Sequence, residues 1–361
     1  MNGLYQSVAA DAAPPRSPGW RSFCASATSA RTGDECRRVR EEAVHLLERG
    51  GIAVSEYATL FGGHARHVLT RTPDGRFRYV HNGADADPLV RRYSRAKHGS
   101  SRDIAYWVRD LMEVFVANLD HPGSALHAAL AQAREHGDYL VLFGTGMRNV
   151  AAASNLMCEL FVDEANIALV ARGYPTIAHV RLPRIAPPCD NYAQLNLEER
   201  VRISLVQDHV LPAANFYQGN GVHVLFADDV LITGATADKV YVSALAHGAR
   251  SFHALYPVLV DPVVALREPD VEDGLNTAAV GARIDDALLE ILTASGHVPV
   301  LRTLRLLFSQ VPDPCFQAQL TRLGPECVSR LYRSALGADF HGQAKYAPAL
   351  AAVRSHLGLH P

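Results

Sequence analysis

The sequence predicts an α/β protein: a parallel sheet flanked by helices, preceded by a small α+β leader and followed by a helical annex. Two observations carry this prediction. Short apolar runs alternate with helical patterns between residues 139 and 260, and the spacing after 265 is helical almost throughout. A third bounds the class: no run approaches the ~18 consecutive apolar residues of a membrane span. The length of 361 residues, with 48% hydrophobic and 20% charged, suffices for a large core with additions. Because 35 Lys and Arg stand against 37 Asp and Glu, total charge favours neither nucleic acid nor an anionic membrane, and any anion site must be local.

The elements follow in order. Residues 1–35 are rich in Ala, Ser, Pro and Gly without apolar periodicity and read as a weakly ordered tail. In a leader spanning 36–90, Val39, Ala43, Leu46 and Leu47 predict a helix over Glu35–Arg49 that stops at Gly50-Gly51. Pro73-Asp74-Gly75 then joins His67–Thr72 to Arg76–Val80 as a hairpin. The central domain, 91–265, opens with amphipathic helices over Ser101–Asn118 and Ser124–Glu135. Its predicted strands are Tyr139–Phe143, Ile177–Leu182, Val222–Ala227 and Ser251–Val260, with helices to about Phe161 and over Asp238–His247 between them. Residues 266–361 form the annex, where Leu301, Leu304, Leu306, Leu307 and Phe308 read as helical core. The six cysteines include no C-x-x-C pair and no secretory signal precedes them, so reduced thiols in a cytoplasmic protein are expected.

One segment carries chemistry. An apolar strand, Val224-Leu225-Phe226-Ala227, runs into Asp228-Asp229, and Thr233-Gly234-Ala235-Thr236-Ala237 then opens a helix. Small residues at a helix N-terminus let backbone N–H groups and threonine hydroxyls surround one phosphate. Paired carboxylates accept hydrogen bonds from sugar hydroxyls and can lie near a magnesium ion. Together they fit a ribose 5-phosphate. A Walker A loop is excluded because no Gly-Lys-Ser/Thr occurs, and no Gly-x-Ser-x-Gly elbow supports serine hydrolysis.

This segment resembles the signature of the type I phosphoribosyltransferases, which use phosphoribosyl pyrophosphate (PRPP). The resemblance implies their fold, with Asp228 and Asp229 as catalytic acids holding the ribose 2′- and 3′-hydroxyls and Thr233–Ala237 cradling the 5-phosphate. It also implies a pyrophosphate loop after the first central strand, matched here by Thr145-Gly146-Met147-Arg148-Asn149, and a mobile lid. The proline-rich stretch 181–192 matches the lid, with Arg184 screening the pyrophosphate and Tyr192 covering the sugar. More narrowly, the chain is similar to the ComF-like branch encoded in bacterial tellurite-resistance and stress-response gene clusters. That similarity rests on Tyr93–Gly99, Thr145–Asn149, Arg184 with Asp190-Asn191-Tyr192-Ala193, Glu198–Arg200, the acid pair, and Phe340-His341 with Tyr346.

The activity thus implied is transfer of a 5-phosphoribosyl group from PRPP to a small-molecule acceptor, with Mg2+ held mainly by PRPP and water rather than by direct protein ligands. A homodimer is compatible with the superfamily. Three further expectations attach to single residues. Lys97, in a cluster with Arg91, Arg92 and Arg95, reads either as a pyrophosphate contact or as part of a solvated basic face. His64 and His67 lack an evident acidic partner or third metal ligand, and Cys189 lies in the lid. Two other functions stay open: a PRPP-sensing regulator that binds nucleic acid or a protein, and a PRPP hydrolase with water as acceptor.

Overall fold

The structure is a computed structural model that describes residues 32–50, 52, 57, 63–184, 211–268, 270–281 and 283–359. Tyr192, Cys189, Glu198–Arg200 and most of the tail lie outside the described residues. The first element is helix α1 (Gly33–Glu48), whose Thr32 and Glu35 close a reciprocal capping box. Strands β1 (Gly63–Arg71) and β2 (Phe77–Tyr79) form the expected hairpin around Pro73-Asp74-Gly75. Helices α2 (Asp87–Lys97), α3 (Ser101–Leu119) and α4 (Ala125–His136) follow. Ser100 and Ser124 cap the second and third of these, and each accepts a hydrogen bond from a first-turn N–H.

The central alternation is then β3 (Tyr139–Phe143), α5 (Ala153–Val170), β4 (Ile177–Val180), a short α6 (Ala214–Tyr217), β5 (Val222–Ala227), β6 (Val230–Leu231), α7 (Ala235–Ala246) and β7 (Ser251–Val260). These strands build a seven-stranded sheet in the order β2-β1-β7-β5-β3-β4, with β6 also on β7. Every pairing is parallel except that of β1 with β2. The fold is therefore α/β with a mostly parallel mixed sheet flanked by helices, compatible with a Rossmann-like arrangement.

Side-chain alternation explains the layers. Along β5, Leu225 and Ala227 join Trp107, Phe115 and Phe161 in one core, while Val224 and Phe226 join Val39, Tyr241 and Tyr256 in the core of the opposite face. Both faces are covered, so the strand reads as a continuous apolar run. After β7 come α8 (Pro262–Arg267), α9 (Val271–Thr277), α10 (Asp286–Thr293), α11 (Leu301–Phe308), α12 (Pro314–Gly337, kinked at Gly324-Pro325) and α13 (Ala347–His356). The annex has its own core, in which Leu304, Leu307 and Phe308 are buried with Phe316, Leu331, Phe340 and Tyr346.

Several expectations need correction. The hairpin arm β1 is longer than His67–Thr72 and pairs along its length with β7, so the leader contributes a parallel strand to the central sheet. The stretch holding Arg91, Arg92, Arg95 and Lys97 is only in part a solvated basic face: Arg91 is exposed, whereas Arg95 pairs with Asp103 and Glu290 and Lys97 with Asp229. It is helix α2, whose Leu89, Val90, Tyr93 and Ala96 are buried. The helix after β3 runs to Val170 rather than about Phe161, and β4 ends at Val180 rather than Leu182. The helix after the Asp-Asp segment starts at Ala235, not Asp238. His67 does have an acidic partner, Asp110 of α3, at 3.2 Å.

Candidate functional site

The order β4-β3-β5 places the strands on either side of β3 at a reversal of chain progression: α5 leads from β3 to β4 over one face, and α7 leads from β5 to β7 over the other. Open α/β sheets hold ligands beyond the carboxyl ends of the strands at such a point. Phe143 pairs with Phe226, so Gly144–Asn149 and Asp228-Asp229 leave the sheet side by side. At the end of β5 the Cys158 thiol of α5 donates to the Ala227 carbonyl at 3.5 Å.

The acids sit in an interruption of one strand. β5 and β6 keep a single register on β7, with Ala227 opposite Leu255 and Val230 opposite Val258, which sets Asp228 and Asp229 across from Tyr256 and Pro257. Proline has no N–H to give to a ladder, so the pairing lapses there and the carboxylates are released from strand geometry. The Asp229 backbone N–H donates to Asp228 Oδ1 at 2.9 Å. Asp229 is only 3% exposed. Burial, then the charge of Asp229, hold the Asp228 carboxyl well above the usual carboxylate range, while Lys97 pulls it back.

Lys97 is brought to this pair. Its Nζ donates to Asp229 Oδ2 at 2.6 Å and lies 5.5 Å from the centre of the Tyr93 ring. Helix α2, which carries Lys97, is gripped by the annex. Ser94 donates to the Asn276 carbonyl, Thr303 donates to the His98 carbonyl, and Arg95 pairs with Glu290 of the annex as well as with Asp103 of α3. Gly99 ends the segment at φ +89, and a Cβ there would stand 2.7 Å from the Val298 carbonyl, so only glycine allows this close approach.

The Thr145–Asn149 loop is held from two sides. Asn155 Nδ2 donates to the Thr145 carbonyl at 2.6 Å, and the Thr145 and Ser154 hydroxyls are 2.9 Å apart. On the annex side, Asn149 donates to the Gly337 carbonyl and Arg148 forms an ion pair with Asp339. Gly146 lies between these anchors. Met147 exchanges backbone hydrogen bonds with Leu182 and Arg184, so Arg184 begins beside this loop as an extension of the β3–β4 pairing. Arg181 is engaged by Glu159 at 2.7 Å. Phe340 and Tyr346, ring centroids 4.0 Å apart, belong to the annex core rather than to the site.

The Thr233–Ala237 turn forms the N-terminus of α7. Gly234 is the N-cap residue at φ +78, and the Ala235 N–H approaches the Thr233 hydroxyl at 3.5 Å. The first intrahelical N–H bond is that of Asp238 to the Gly234 carbonyl, which leaves the preceding first-turn N–H groups of Thr236 and Ala237 without intrahelical acceptors. Against the back of this turn lies Arg40 of α1, which is 5% exposed and bidentate to Asp238, with Nε to Oδ2 at 2.7 Å. Sequence reasoning missed Arg40 entirely, because its partner lies 198 positions away. It also missed buried polar atoms without hydrogen bonds: Tyr93 Oη, whose ring lies beside the Lys97 ammonium, Trp107 Nε1, and both polar side-chain atoms of Asn276.

Asp228 and Asp229 supply hard oxygen donors suited to magnesium or to hydroxyls. Among the described residues, no group of three or more His, Cys, Asp or Glu is arranged to hold a metal ion. None of their helices is long and apolar enough to cross a membrane. Comparison of the chain with protein-family models, with curated proteins and with solved structures gave no match.

Proposed function

We propose that the protein is a phosphoribosyltransferase of the type I kind, which transfers the 5-phosphoribosyl group of PRPP to a nitrogen nucleophile of a small-molecule acceptor. The observation that carries the reading is the convergence, at the reversal point of a parallel sheet, of an acid pair, a left-handed Thr-Gly turn opening a helix, and a second Gly-containing loop. In the reaction the bond from ribose C1 to the pyrophosphate oxygen breaks, a bond from the acceptor nitrogen to C1 forms, and the nitrogen's proton is lost. The sugar passes through a state with oxocarbenium character, so positive charge builds at C1 and negative charge on the leaving group.

The chain's residues act on both charges. Asp228 and Asp229 accept from the ribose hydroxyls and orient the ring, and an ionised carboxylate near C1 offsets the developing positive charge. The first-turn N–H groups of α7 hold the 5-phosphate, with the helix dipole adding positive potential. On this reading the Thr145–Asn149 loop and Arg184 hold the pyrophosphate end, and the Lys97 ammonium, paired with Asp229, adds positive charge beside the ribose. Magnesium, when bound, supplies Lewis-acid stabilisation of the leaving pyrophosphate.

A PRPP-sensing protein without turnover is the second reading, and one observation favours it: Lys97 already neutralises Asp229. Pyrophosphate release with PRPP, Mg2+ and a panel of nitrogen heterocycles separates the two. The enzyme reading expects release that depends on one acceptor and falls by orders of magnitude in Asp229→Asn, while the folded state persists. Unchanged release in that variant would remove the claim, binding without release would favour the sensor, and release with no acceptor would favour a hydrolase.

A further inference from the structure

The Arg40–Asp238 pair calls for a reason. Two opposite charges are almost fully buried between the leader helix and the first turn of α7, although desolvation makes such a pair a poor source of stability compared with apolar packing. Its placement is unusual in a second respect. The guanidinium fills the space that a Cβ on Gly234 would need, with Cζ 2.6 Å and Nε 2.7 Å from that position. It thus backs the one residue of the turn held at φ +78. The Arg40 guanidinium also lies 5.6 Å from the Tyr57 ring, so it is packed from the leader side as well.

The charges explain what the pair does for an anion. A carboxylate in the first turn of a helix is favourable while nothing else negative is there. Once a phosphate occupies the same N-terminus, Asp238 becomes a like charge at close range in a poorly solvated setting, where repulsion is weakly screened. Arg40 cancels that charge and pins the turn from behind. Arg40 itself points at Asp238 and is not free to grasp the phosphate.

We infer that Arg40 is a positioning residue for the 5-phosphate, which makes the leader helix part of the phosphate subsite: it neutralises Asp238 and braces Gly234 so that the turn accepts a phosphomonoester dianion. This inference rests on the reading of Thr233–Ala237 as the 5-phosphate turn. It implies that leader docking and phosphate binding are thermodynamically linked, each strengthening the other.

Ribose 5-phosphate and inorganic pyrophosphate, titrated calorimetrically into the full chain, separate the two ends of the site. In Arg40→Met the dissociation constant for ribose 5-phosphate should rise about tenfold or more, because the buried Asp238 charge is left uncompensated. Pyrophosphate affinity should change less than about twofold, since its loop lies at β3. Asp238→Asn alone should bind ribose 5-phosphate as well as wild type or better, and the double variant should recover most of the loss. The contrast between the two ligands is the decisive arm, because a purely structural role for Arg40 would weaken ribose 5-phosphate and pyrophosphate alike; recovery in the double variant then traces the loss to the Asp238 charge. Wild-type-like affinity in Arg40→Met, equal loss of both ligands, or a double variant no better than Arg40→Met would each overturn the inference. Wild-type protein that binds neither ligand would overturn the parent reading, and this inference with it.

Discussion

At the residue scale the site is a balance of buried charges. Asp229 is nearly inaccessible, and Lys97 is the cation that its carboxylate meets. Removing one partner of such a pair leaves the other charged and poorly solvated, a cost of about 2–4 kcal/mol for a pair that keeps some contact with solvent. Lys97→Gln should therefore lower the urea midpoint, and adding Asp229→Asn should restore part of the loss. Tyr93→Phe should behave in the opposite way. The Tyr93 hydroxyl is buried without a partner, and an unsatisfied hydroxyl costs about 1–3 kcal/mol, so its removal should leave stability unchanged or raise it. Denaturant titration checks both variants, and a Tyr93→Phe protein that is clearly less stable would show that the hydroxyl has a partner in solution. The acids were legible in the sequence because two carboxylates after an apolar run are a local pattern. Their cation was not, because 132 positions separate Lys97 from Asp229 and no spacing rule spans that distance.

At the element scale the same contrast recurs. The strands Tyr139–Phe143, Val222–Ala227 and Ser251–Val260 match the apolar runs, since a strand buried on both faces must be apolar throughout. Pairing of β1 with β7 was illegible, because a strand's second neighbour is a tertiary choice. Helix α2 was legible but overlooked. Pro88 in its first turn and Leu89, Val90, Tyr93 and Ala96 at helical spacing announce it, although four basic residues interrupt the apolar pattern. Pro257 also carried a signal: a proline within an apolar strand marks where the neighbouring ladder lapses, and the acids lie there. The α7 turn yields a prediction of its own. Gly234→Ala places a side chain at φ +78 and into the Arg40 guanidinium, so thermal denaturation should show a loss of at least about 1–2 kcal/mol.

At the scale of the whole molecule, the annex and the leader each reach into the site from a different side. The annex grips α2 and the Thr145–Asn149 loop, and the leader backs the α7 turn. Buried histidines add a pH dependence to this assembly. Burial pushes His98 and His297 down to about 4 and His253 to about 3, so each stays neutral in the folded state over a range where the unfolded chain is protonated. The unfolded state then binds more protons, and the stability they contribute is complete above about pH 6.5 and lost progressively as pH falls below it. Asp228 works with the opposite sign, because its raised value means that the folded state holds a proton the unfolded chain has released. Burial lowers His64, His179 and His223 in the same direction, so with six histidines against one carboxyl the melting temperature measured by calorimetry should fall between pH 7 and pH 5. The central claim is that the acid pair and the α7 turn together bind PRPP, and the most direct test is the thermal shift of the wild-type chain and of Asp229→Asn with PRPP and Mg2+. Ligand at ~100 times its dissociation constant stabilises by about 2.7 kcal/mol. The account predicts a shift of several degrees in the wild type that is largely lost in Asp229→Asn, and no shift in the wild type, or an equal one in both, would contradict it.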